Sequence, residues 1–160
     1  MKKILVVDDS KTIVNGIKDC LEEMKPLFDE HWEELAIHKD KIKLSPDYDK
    51  YLHIDEFGML HVMTARDDDK LIGYFISFVQ PNLHYKDNMF ASNDILFIHP
   101  DYRKGSVGYK LFKNAESSLL ELGVDVIIIH TKIHKDFKPL MDKLGFDRVE
   151  YIYSKYVGDK

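Results

Sequence analysis

Residues 93–122 read NDILFIHPDYRKGSVGYKLFKNAESSLLEL and organise the predicted fold. The unbroken apolar run at 95–98 is typical of a strand that is buried on both faces. Pro100 ends this strand because proline cannot donate to a β-ladder. From Val107 onward, apolar residues recur at helical spacing until Gly123, which ends the helix. The stretch is therefore predicted to be a strand, a short turn and an amphipathic helix.

The turn between this strand and this helix has the features of an anion site. The first turn of a helix leaves backbone N–H groups free and carries the positive end of the helix dipole. Arg103 and Lys104 add full positive charges, and Gly105 and Gly108 would let the backbone approach a ligand. A solvated turn whose glycines serve only its geometry is the alternative, and the turn by itself leaves both interpretations open.

The segment LFIHPDYRKGSVGYKL resembles the acetyl-CoA pyrophosphate motif of the GNAT N-acetyltransferase superfamily. That motif is Q/R-x-x-G-x-G/A, preceded by an apolar strand and a proline. Arg103 takes its first position and Gly108 its last. Ser106 stands where the middle glycine is usual, and Gly105 lies one place early. A serine there still offers its backbone N–H and adds a hydroxyl donor. The resemblance covers the chain from about residue 20 to its end, and the segments EHWEE, PNLHY, YRKG and IIIHTK resemble bacteriophage-type members.

Hydrophobic periodicity and turn residues predict the remaining elements. The other predicted strands are 3–8, 59–66, 70–79, 124–130 and 146–157. The other predicted helices are one that ends at about residue 24, one at 26–36 that opens on Pro26, and those at 46–56 and 135–144. The strand after the central helix completes a parallel βαβ unit. We therefore expect an α/β fold with a mixed central sheet, arranged as the α/β/α sandwich of GNAT enzymes, in a single domain spanning residues 1–160.

Composition limits the classes of function that are possible. The chain is 44% hydrophobic and 12% aromatic, so it can bury a sizeable core, and its net charge of −5 argues against nucleic acid as a partner. The single cysteine, Cys20, excludes an internal disulfide and favours a reducing compartment. No apolar run approaches the length of a membrane span, and the opening MKKILVV is too short for a signal peptide. We expect a cytoplasmic protein without a membrane partner.

The resemblance implies which residues would hold acetyl-CoA. In the superfamily the central strand splays from a neighbour, and its N–H groups then pair with the pantetheine arm. The residues that correspond to this edge and to the pyrophosphate turn are Phe97, Ile98, Arg103, Lys104, Gly105, Ser106, Val107 and Gly108. His134 stands where the family often has an asparagine near the cofactor. We therefore expect these nine residues to form the cofactor site.

Asp94 is the candidate catalytic base. A carboxylate in an otherwise apolar strand is costly unless it is paired or functional. Its position before Pro100 matches an acidic residue of many family members, which implies a base that acts directly or through water. The alternative is a structural partner for Asn93 or for a loop amide.

The candidate general acid is less well defined. Many family members carry a tyrosine in the last helix where this chain has Met141, which cannot donate a proton. Tyr153 is the substitute that we select on its chemistry, with Tyr151 and His134 as further options. Transfer without a protein acid is also possible if the thiolate leaves as such or takes a proton from the amine.

The acceptor site is expected between the early helices and the loop at 80–90. Trp32 and Glu33 belong to the acidic-aromatic run EHWEE, whose alternative interpretation is a solvated helix face with one buried tryptophan. His84 and Tyr85 precede the central strand and are expected to flank the acceptor. The acceptor itself stays open between a small-molecule amine and a protein lysine, and a homodimer is possible. We expect no metal site, because the eight histidines and one cysteine form no ligand cluster.

The beginning of the chain imitates a receiver domain of two-component signalling, since Asp8 and Asp9 follow an apolar strand. A receiver needs a phosphoacceptor at the end of its third strand, whereas the candidate Asp55 lies in a helical pattern. The predicted function is therefore an acetyl-CoA-dependent N-acetyltransferase. A CoA-binding module without catalysis, which Met141 keeps open, and a receiver-type domain are the alternatives.

Overall fold

A computed structural model describes residues 16–158 of the chain. The predicted strand at 3–8 and the start of the helix after it lie outside these residues. A 3₁₀ turn at Ile17–Asp19 leads directly into helix α1, Leu21–Leu35. Within the described residues, no helix is both long and apolar enough to cross a membrane.

Helix α1 replaces two predicted helices, and the predicted helix start at Pro26 is wrong. Pro26 lies inside α1 and cannot donate a backbone hydrogen bond there. Leu21, Met24, Leu27 and Phe28 are buried along one face of the helix, on both sides of the proline. Burial of each such side chain contributes about 1.5–3 kcal/mol, so this continuous apolar stripe offsets the local cost of about 3 kcal/mol.

The other helices agree with the sequence patterns except at their first residues. They are α2, Tyr48–Glu56; α3, Val107–Glu121; and α4, Lys138–Leu144. Asp47 caps α2, because its side chain accepts a hydrogen bond from the Lys50 N–H at 3.0 Å. A 3₁₀ turn at Ile133–Lys135 precedes α4, which therefore begins three residues later than the predicted start at 135.

The sheet is mixed, as predicted. Its strands β1, Leu60–Asp67; β2, Lys70–Pro81; β3, Met89–Ile98; and β4, Val126–Ile128 lie in that order. Antiparallel pairing joins β1 to β2 and β2 to β3, whereas β3 and β4 are parallel on either side of the crossover through α3. The predicted hairpin and the predicted parallel βαβ unit are therefore confirmed, although β4 is shorter than the predicted strand at 124–130.

Two apolar cores lie on opposite faces of the sheet and make the α/β/α sandwich. Residues of α3 and α4, including Leu111, Leu119 and Met141, pack with Phe75 on one face. Residues of α1 pack with Tyr74, Ile76 and Phe97 on the other face. Adjacent strand residues alternate between these two cores, as the period of a strand requires. The sheet is thus covered on both sides and positions the ends of β3 and β4 between α1 and α3.

The predicted strand at 146–157 is wrong, because no strand is assigned in residues 146–158. The apolar side chains Val149, Tyr151 and Tyr153 are all strongly exposed. A strand needs a partner for its backbone groups, and β4 pairs over only three residues. The segment instead runs past the loop after α1, where the Tyr156 ring lies 6.2 Å from the ring of His38.

Candidate active site

Strands β3 and β4 separate beyond Ser92 and Ile128, their last paired residues. Directly after these residues, the Asn93 side chain forms hydrogen bonds with the His130 backbone in place of strand pairing. Its Oδ1 accepts a hydrogen bond from the His130 N–H at 2.6 Å, and its Nδ2 donates to the His130 carbonyl at 3.5 Å. Residues 95–98 keep β2 on one edge and have no strand on the other edge among the described residues. This free edge exposes backbone donors and acceptors to a ligand.

The sequence predicted that the apolar run at 95–98 would be buried on both faces. The separation of the strands explains why it is not. Phe97 is only 3% exposed, because its side chain packs beneath α1. Ile95, Leu96 and Ile98 are half-buried. The predicted contacts of Phe97 and Ile98 with a cofactor would therefore come from their backbone rather than from the buried Phe97 ring.

Asp94 is an extra residue in β3. Ser77 of β2 lies opposite Asn93 and Ile76 lies opposite Ile95, which leaves Asp94 without a partner in the register. Such a bulge changes the direction of a side chain. The Asp94 side chain is exposed, and its Oδ2 accepts a hydrogen bond from the Tyr51 hydroxyl. Within residues 16–158, Asp94 is thus paired with a tyrosine of α2 rather than with Asn93 or a loop amide.

Tyr51 stays protonated near neutral pH. Burial first, and then the hydrogen bond to Asp94, raise the pKa of Tyr51 above its usual range. The Tyr51 hydroxyl is therefore the donor in its hydrogen bond to Asp94.

A cleft of about 720 Å³ surrounds Asp94. Its walls include His31 and Trp32 of α1, Tyr51 of α2, Asp94 of β3, and His130 and Lys132 beyond β4. This volume lies in the range that is usual for small-molecule sites, about 300–1,000 Å³. The cleft is therefore bounded by the separated strands on one side and by α1, α2 and the loop between them on the other.

His31 forms part of the cleft wall as a neutral group. Its Nδ1 is hydrogen-bonded to the Tyr74 hydroxyl at 2.8 Å, and its ring stacks on Phe97 with centroids 5.1 Å apart. Burial lowers the pKa of His31 to about 4, with smaller opposing effects of Glu34 and nearby cations. At neutral pH His31 therefore adds no charge to the cleft.

The turn before α3 combines several backbone features that favour an anion. Gly105 has a φ of +85°, a left-handed conformation that favours glycine. Ser106 is the N-cap of α3 but makes no side-chain capping hydrogen bond, and the first turn of α3 contains no acidic residue. The N–H groups of that turn lack intrahelical partners by helix geometry. Backbone donors, a hydroxyl and the helix dipole therefore converge at this turn.

Arg103 connects this turn to α1. Its Nε donates to the Ile98 carbonyl at 2.7 Å, and its two terminal nitrogens donate to the two carboxylate oxygens of Glu34 at 2.6 and 2.5 Å. The Lys135 ammonium lies 3.3 Å from the same carboxylate. The hydrogen bond from Arg103 is the largest cause that lowers the pKa of Glu34 to about 2. These contacts use three of the five N–H donors of a guanidinium, which leaves two for a ligand.

Not every predicted site residue belongs to this cleft. Trp32 and Asp94 line it, whereas Glu33, His84, Tyr85, His134 and Tyr153 do not. Glu33 pairs with Lys39 at 3.1 Å, and Tyr85 stacks on Phe90 with centroids 6.3 Å apart.

The remaining predicted residues lie elsewhere on the molecule. Tyr153 is 92% exposed in the segment after α4, and His134 is exposed in the 3₁₀ turn before α4. Lys104, Gly105 and Ser106 are exposed at the turn. Val107 is buried in the core, and an added Cβ on Gly108 would contact Leu140 at 3.3 Å.

The sequence analysis missed Tyr51, His31 and Glu34 as parts of the site. Tyr51 lies 43 residues from Asp94, and Glu34 lies 69 residues from Arg103. No local periodicity reports on pairs at such distances. The one available signal for Glu34 was its place in the EHWEE run, from which Trp32 and Glu33 were selected.

The fold and this strand separation define a class of acyl-transferring α/β sandwiches. The chain belongs to the Acetyltransferase (GNAT) family, which matches residues 19–146. Members of this family generally use acetyl-CoA. The receiver interpretation has no support, because Asp55 lies within α2 and accepts a hydrogen bond from the Ile17 N–H at 2.9 Å.

Several solved structures are similar to this chain. An aminoglycoside acetyltransferase from an uncultured soil metagenomic sample, in complex with sisomicin, shares 16% identity with a TM-score of 0.67, covering 89% of this chain and 90% of that chain. A ribosomal-protein-alanine N-acetyltransferase from Brucella melitensis biovar Abortus 2308 shares 16% identity with a TM-score of 0.65, covering 88% of this chain and 94% of that chain. A glucosamine-6-phosphate N-acetyltransferase from Arabidopsis thaliana shares 12% identity with a TM-score of 0.67, covering 86% of this chain and 94% of that chain.

At these identities the likeness shows the fold alone. The names of the three proteins differ in their acceptors, so they do not select one for this chain. A comparison with curated proteins finds no match. Nothing in these comparisons points to the bacteriophage-type members that the sequence segments resemble.

Proposed function

We propose that this protein is an acetyl-CoA-dependent N-acetyltransferase that acetylates a primary amine, with residues 1–160 as a single domain. The observation that carries the proposal is the separation of β3 from β4 at Asn93, which leaves a free strand edge beside Asp94. The same edge leads to the turn before α3. One cleft thus combines an edge for an extended arm with a carboxylate for an amine.

The chemistry of the donors supports acetyl-CoA as the cofactor. The backbone of Phe97 and Ile98 would hold the pantetheine arm, and the turn from Arg103 to Gly108 would hold the phosphates through N–H groups, the Ser106 hydroxyl and the side chains of Arg103 and Lys104. Lys132 lines the cleft and adds positive charge to it. Acetyl-CoA, when bound, supplies the acetyl group as a thioester.

Asp94 is proposed to remove a proton from the acceptor. An alkylammonium group has a pKa of about 10.4, so it is mostly protonated at pH 7 and has no lone pair for attack. Tyr51 occupies Oδ2 of Asp94. The other oxygen, Oδ1, can first hold the ammonium group and then accept its proton, directly or through water. Tyr51 and the bulge keep this carboxylate directed into the cleft.

We assign no general acid from the cleft. Met141 is buried in the core against α3 and has no proton to donate. Tyr153 stays a proposal based on its chemistry alone, since its exposure gives it no support. Tyr51 is the hydroxyl donor in the wall beside Asp94, and its proton already serves that carboxylate.

The test is release of free thiol from acetyl-CoA in the presence of a broad panel of primary amines. The proposal predicts turnover with at least one amine, and it also predicts that acetyl-CoA raises the melting temperature. Thermal stabilisation without thiol release from any amine would favour a CoA-binding module that does not catalyse. The observation that favours this second function is Met141, which occupies the position where many family members carry a tyrosine.

A further inference from the structure

Charges of opposite sign occupy different parts of the cleft. Arg103 and Lys135 meet at Glu34 beside the end of β3, and Lys135 also lines the cleft. Asp94 lies at the other end of the free edge, next to the residue at which the strands separate. The basic end therefore suits the phosphates of the cofactor, and the acceptor is left with the end that contains Asp94.

Cationic residues outnumber carboxylates in the lining of the cleft. Asp47 and Asp94 are the acidic residues that line it, against the three cationic residues Lys43, Lys132 and Lys135. Each carboxylate already accepts one hydrogen bond, Asp47 from the Lys50 N–H at 3.0 Å and Asp94 from the Tyr51 hydroxyl. A second ammonium group on an acceptor would therefore enter a cleft in which lysines are in excess, and like charges in a cleft are unfavourable.

Much of the remaining acceptor end is apolar, although Lys43, Ser45 and Asp47 also line it. Phe28, Trp32 and Leu35 of α1 and Ile42 and Leu44 of the following loop line the wall beside Asp94 and Tyr51. Phe28 is held in place by Tyr74, whose ring lies edge-on at 5.3 Å. Aromatic and aliphatic walls stabilise an apolar body by removing it from water, and they offer few hydrogen bonds to a polyhydroxylated one.

We propose that the acceptor is a small monoamine with an aromatic or aliphatic body, bound with its ammonium group on Asp94 and its body against Trp32, Ile42 and Leu44. This inference rests on the proposed function and specifies its substrate class. The cleft of about 720 Å³ must also take the acetyl-bearing end of the cofactor, so the body is small. Polycationic acceptors such as aminoglycosides or polyamines are disfavoured, because the two carboxylates of the lining are already outnumbered by its three lysines.

The experiment compares 2-phenylethylamine and hexylamine with kanamycin, spermidine and a lysine-containing peptide, each at a fixed acetyl-CoA concentration. We expect kcat/KM for the two monoamines to exceed that for the other acceptors by about tenfold or more, the scale of discrimination by an apolar pocket. A preference for kanamycin, spermidine or the peptide would overturn the inference while leaving the proposed function intact.

Two variants connect this preference to the cleft. Ile42 is 51% exposed, so Ile42→Asp should fold and would place a second carboxylate in the apolar wall. We expect it to raise KM for 2-phenylethylamine and to lower KM for spermidine, each by about tenfold. Ile42→Ser is the matched control, since it removes apolar surface without adding charge. It should raise KM for 2-phenylethylamine and leave KM for spermidine unchanged. Unchanged preference in Ile42→Asp would contradict the assignment of this wall.

Binding separates a failure of this inference from a failure of catalysis. Calorimetric titration of 2-phenylethylamine into the protein saturated with CoA should show binding that Trp32→Ala weakens and Trp32→Phe retains. Binding without any thiol release would support the acceptor class and overturn the proposed catalysis. Absence of both binding and turnover with 2-phenylethylamine and hexylamine would overturn the inference.

Discussion

Arg103 and Glu34 form a bidentate ion pair, with nitrogen–oxygen distances of 2.6 and 2.5 Å, that joins the turn before α3 to the end of α1. Arg103 also donates to the Ile98 carbonyl at 2.7 Å, so one guanidinium contacts the central strand, the turn and the helix. The acceptor wall and the proposed phosphate site are thereby connected through two side chains. Arg103 can therefore be tested separately for two roles, binding phosphate and positioning α1.

Arg103→Ala should weaken CoA binding by about 1–3 kcal/mol, because the variant loses a charge-assisted hydrogen bond to phosphate. Glu34→Gln is the matched control, since it breaks the ion pair but keeps the guanidinium. It should leave CoA affinity unchanged or higher. Isothermal titration of CoA measures both values. Equal losses in the two variants would mean that Arg103 acts only by positioning α1, and the phosphate contact would then be rejected.

Asp94→Asn should lower turnover by about 10- to 1000-fold and leave CoA affinity nearly intact, because the amide keeps the shape but cannot accept the proton. The loss should shrink as pH rises, since more of the free amine is then neutral. Tyr51→Phe removes the donor to Oδ2 and should have a smaller effect. Steady-state kinetics between pH 6 and pH 9 provide the measurement. Wild-type turnover in Asp94→Asn at pH 7 would remove Asp94 from the mechanism.

Met141→Ala should lower the free energy of unfolding by about 2–5 kcal/mol, because Met141 of α4 is buried in the core that α3 and α4 share with the sheet. Its kcat should stay within a few-fold of the wild-type value, since methionine cannot act as an acid. Met141→Leu, which conserves volume, should lose less than about 1.5 kcal/mol. Urea unfolding and thiol release are measured on the same samples. A loss of kcat of about 100-fold in folded Met141→Ala would contradict the purely structural role.

His61 should make the protein less stable below pH 6.5. Burial lowers the pKa of His61 from 6.5 to about 4, because the ring is 6% exposed and its Nδ1 has no hydrogen-bond partner among the described residues. The unfolded chain therefore takes up a proton first as pH falls. Stability is lost between pH 6.5 and about pH 4, by up to about 3 kcal/mol from this group.

Urea unfolding at several pH values tests this linkage. His61→Gln should show a smaller loss of unfolding free energy from pH 7 to pH 4.5 than the wild type. His31 also has its pKa lowered to about 4, so part of the loss should remain. The exposed His84 provides the control, and His84→Gln should follow the wild type. Identical pH profiles for His61→Gln and the wild type would refute a contribution of His61.

Gly73→Ala should destabilise the protein by about 1–3 kcal/mol. A Cβ at Gly73 would lie 2.7 Å from the Phe97 carbonyl oxygen, so the backbone of β2 or β3 must shift. Gly108→Ala is the comparison, because its Cβ would meet the flexible end of Leu140 at 3.3 Å and should cost less. Urea unfolding ranks the two variants. A larger loss in Gly108→Ala would show that the α3–α4 contact is tighter than the contact between β2 and β3.

The local patterns of the sequence determined the elements around the site. The apolar run before Pro100, the helical spacing from Val107 and the stop at Gly123 predicted β3, α3 and the parallel crossover between β3 and β4. These features could be predicted because the period of apolar residues and the chemistry of turns act over a few residues. The motif from Arg103 to Gly108 indicated the family in the same way.

Tertiary contacts alone decided the rest. Pro26 stays inside α1 because Leu21 and Phe28 bury one continuous face, and the predicted strand at 146–157 does not form because β4 offers it only a three-residue edge. Asn93 bridges to His130, and Asp94 meets Tyr51, across 37 and 43 residues of chain. Such pairs depend on how the sheet and the helices pack in space, which the spacing of residues along one segment does not encode.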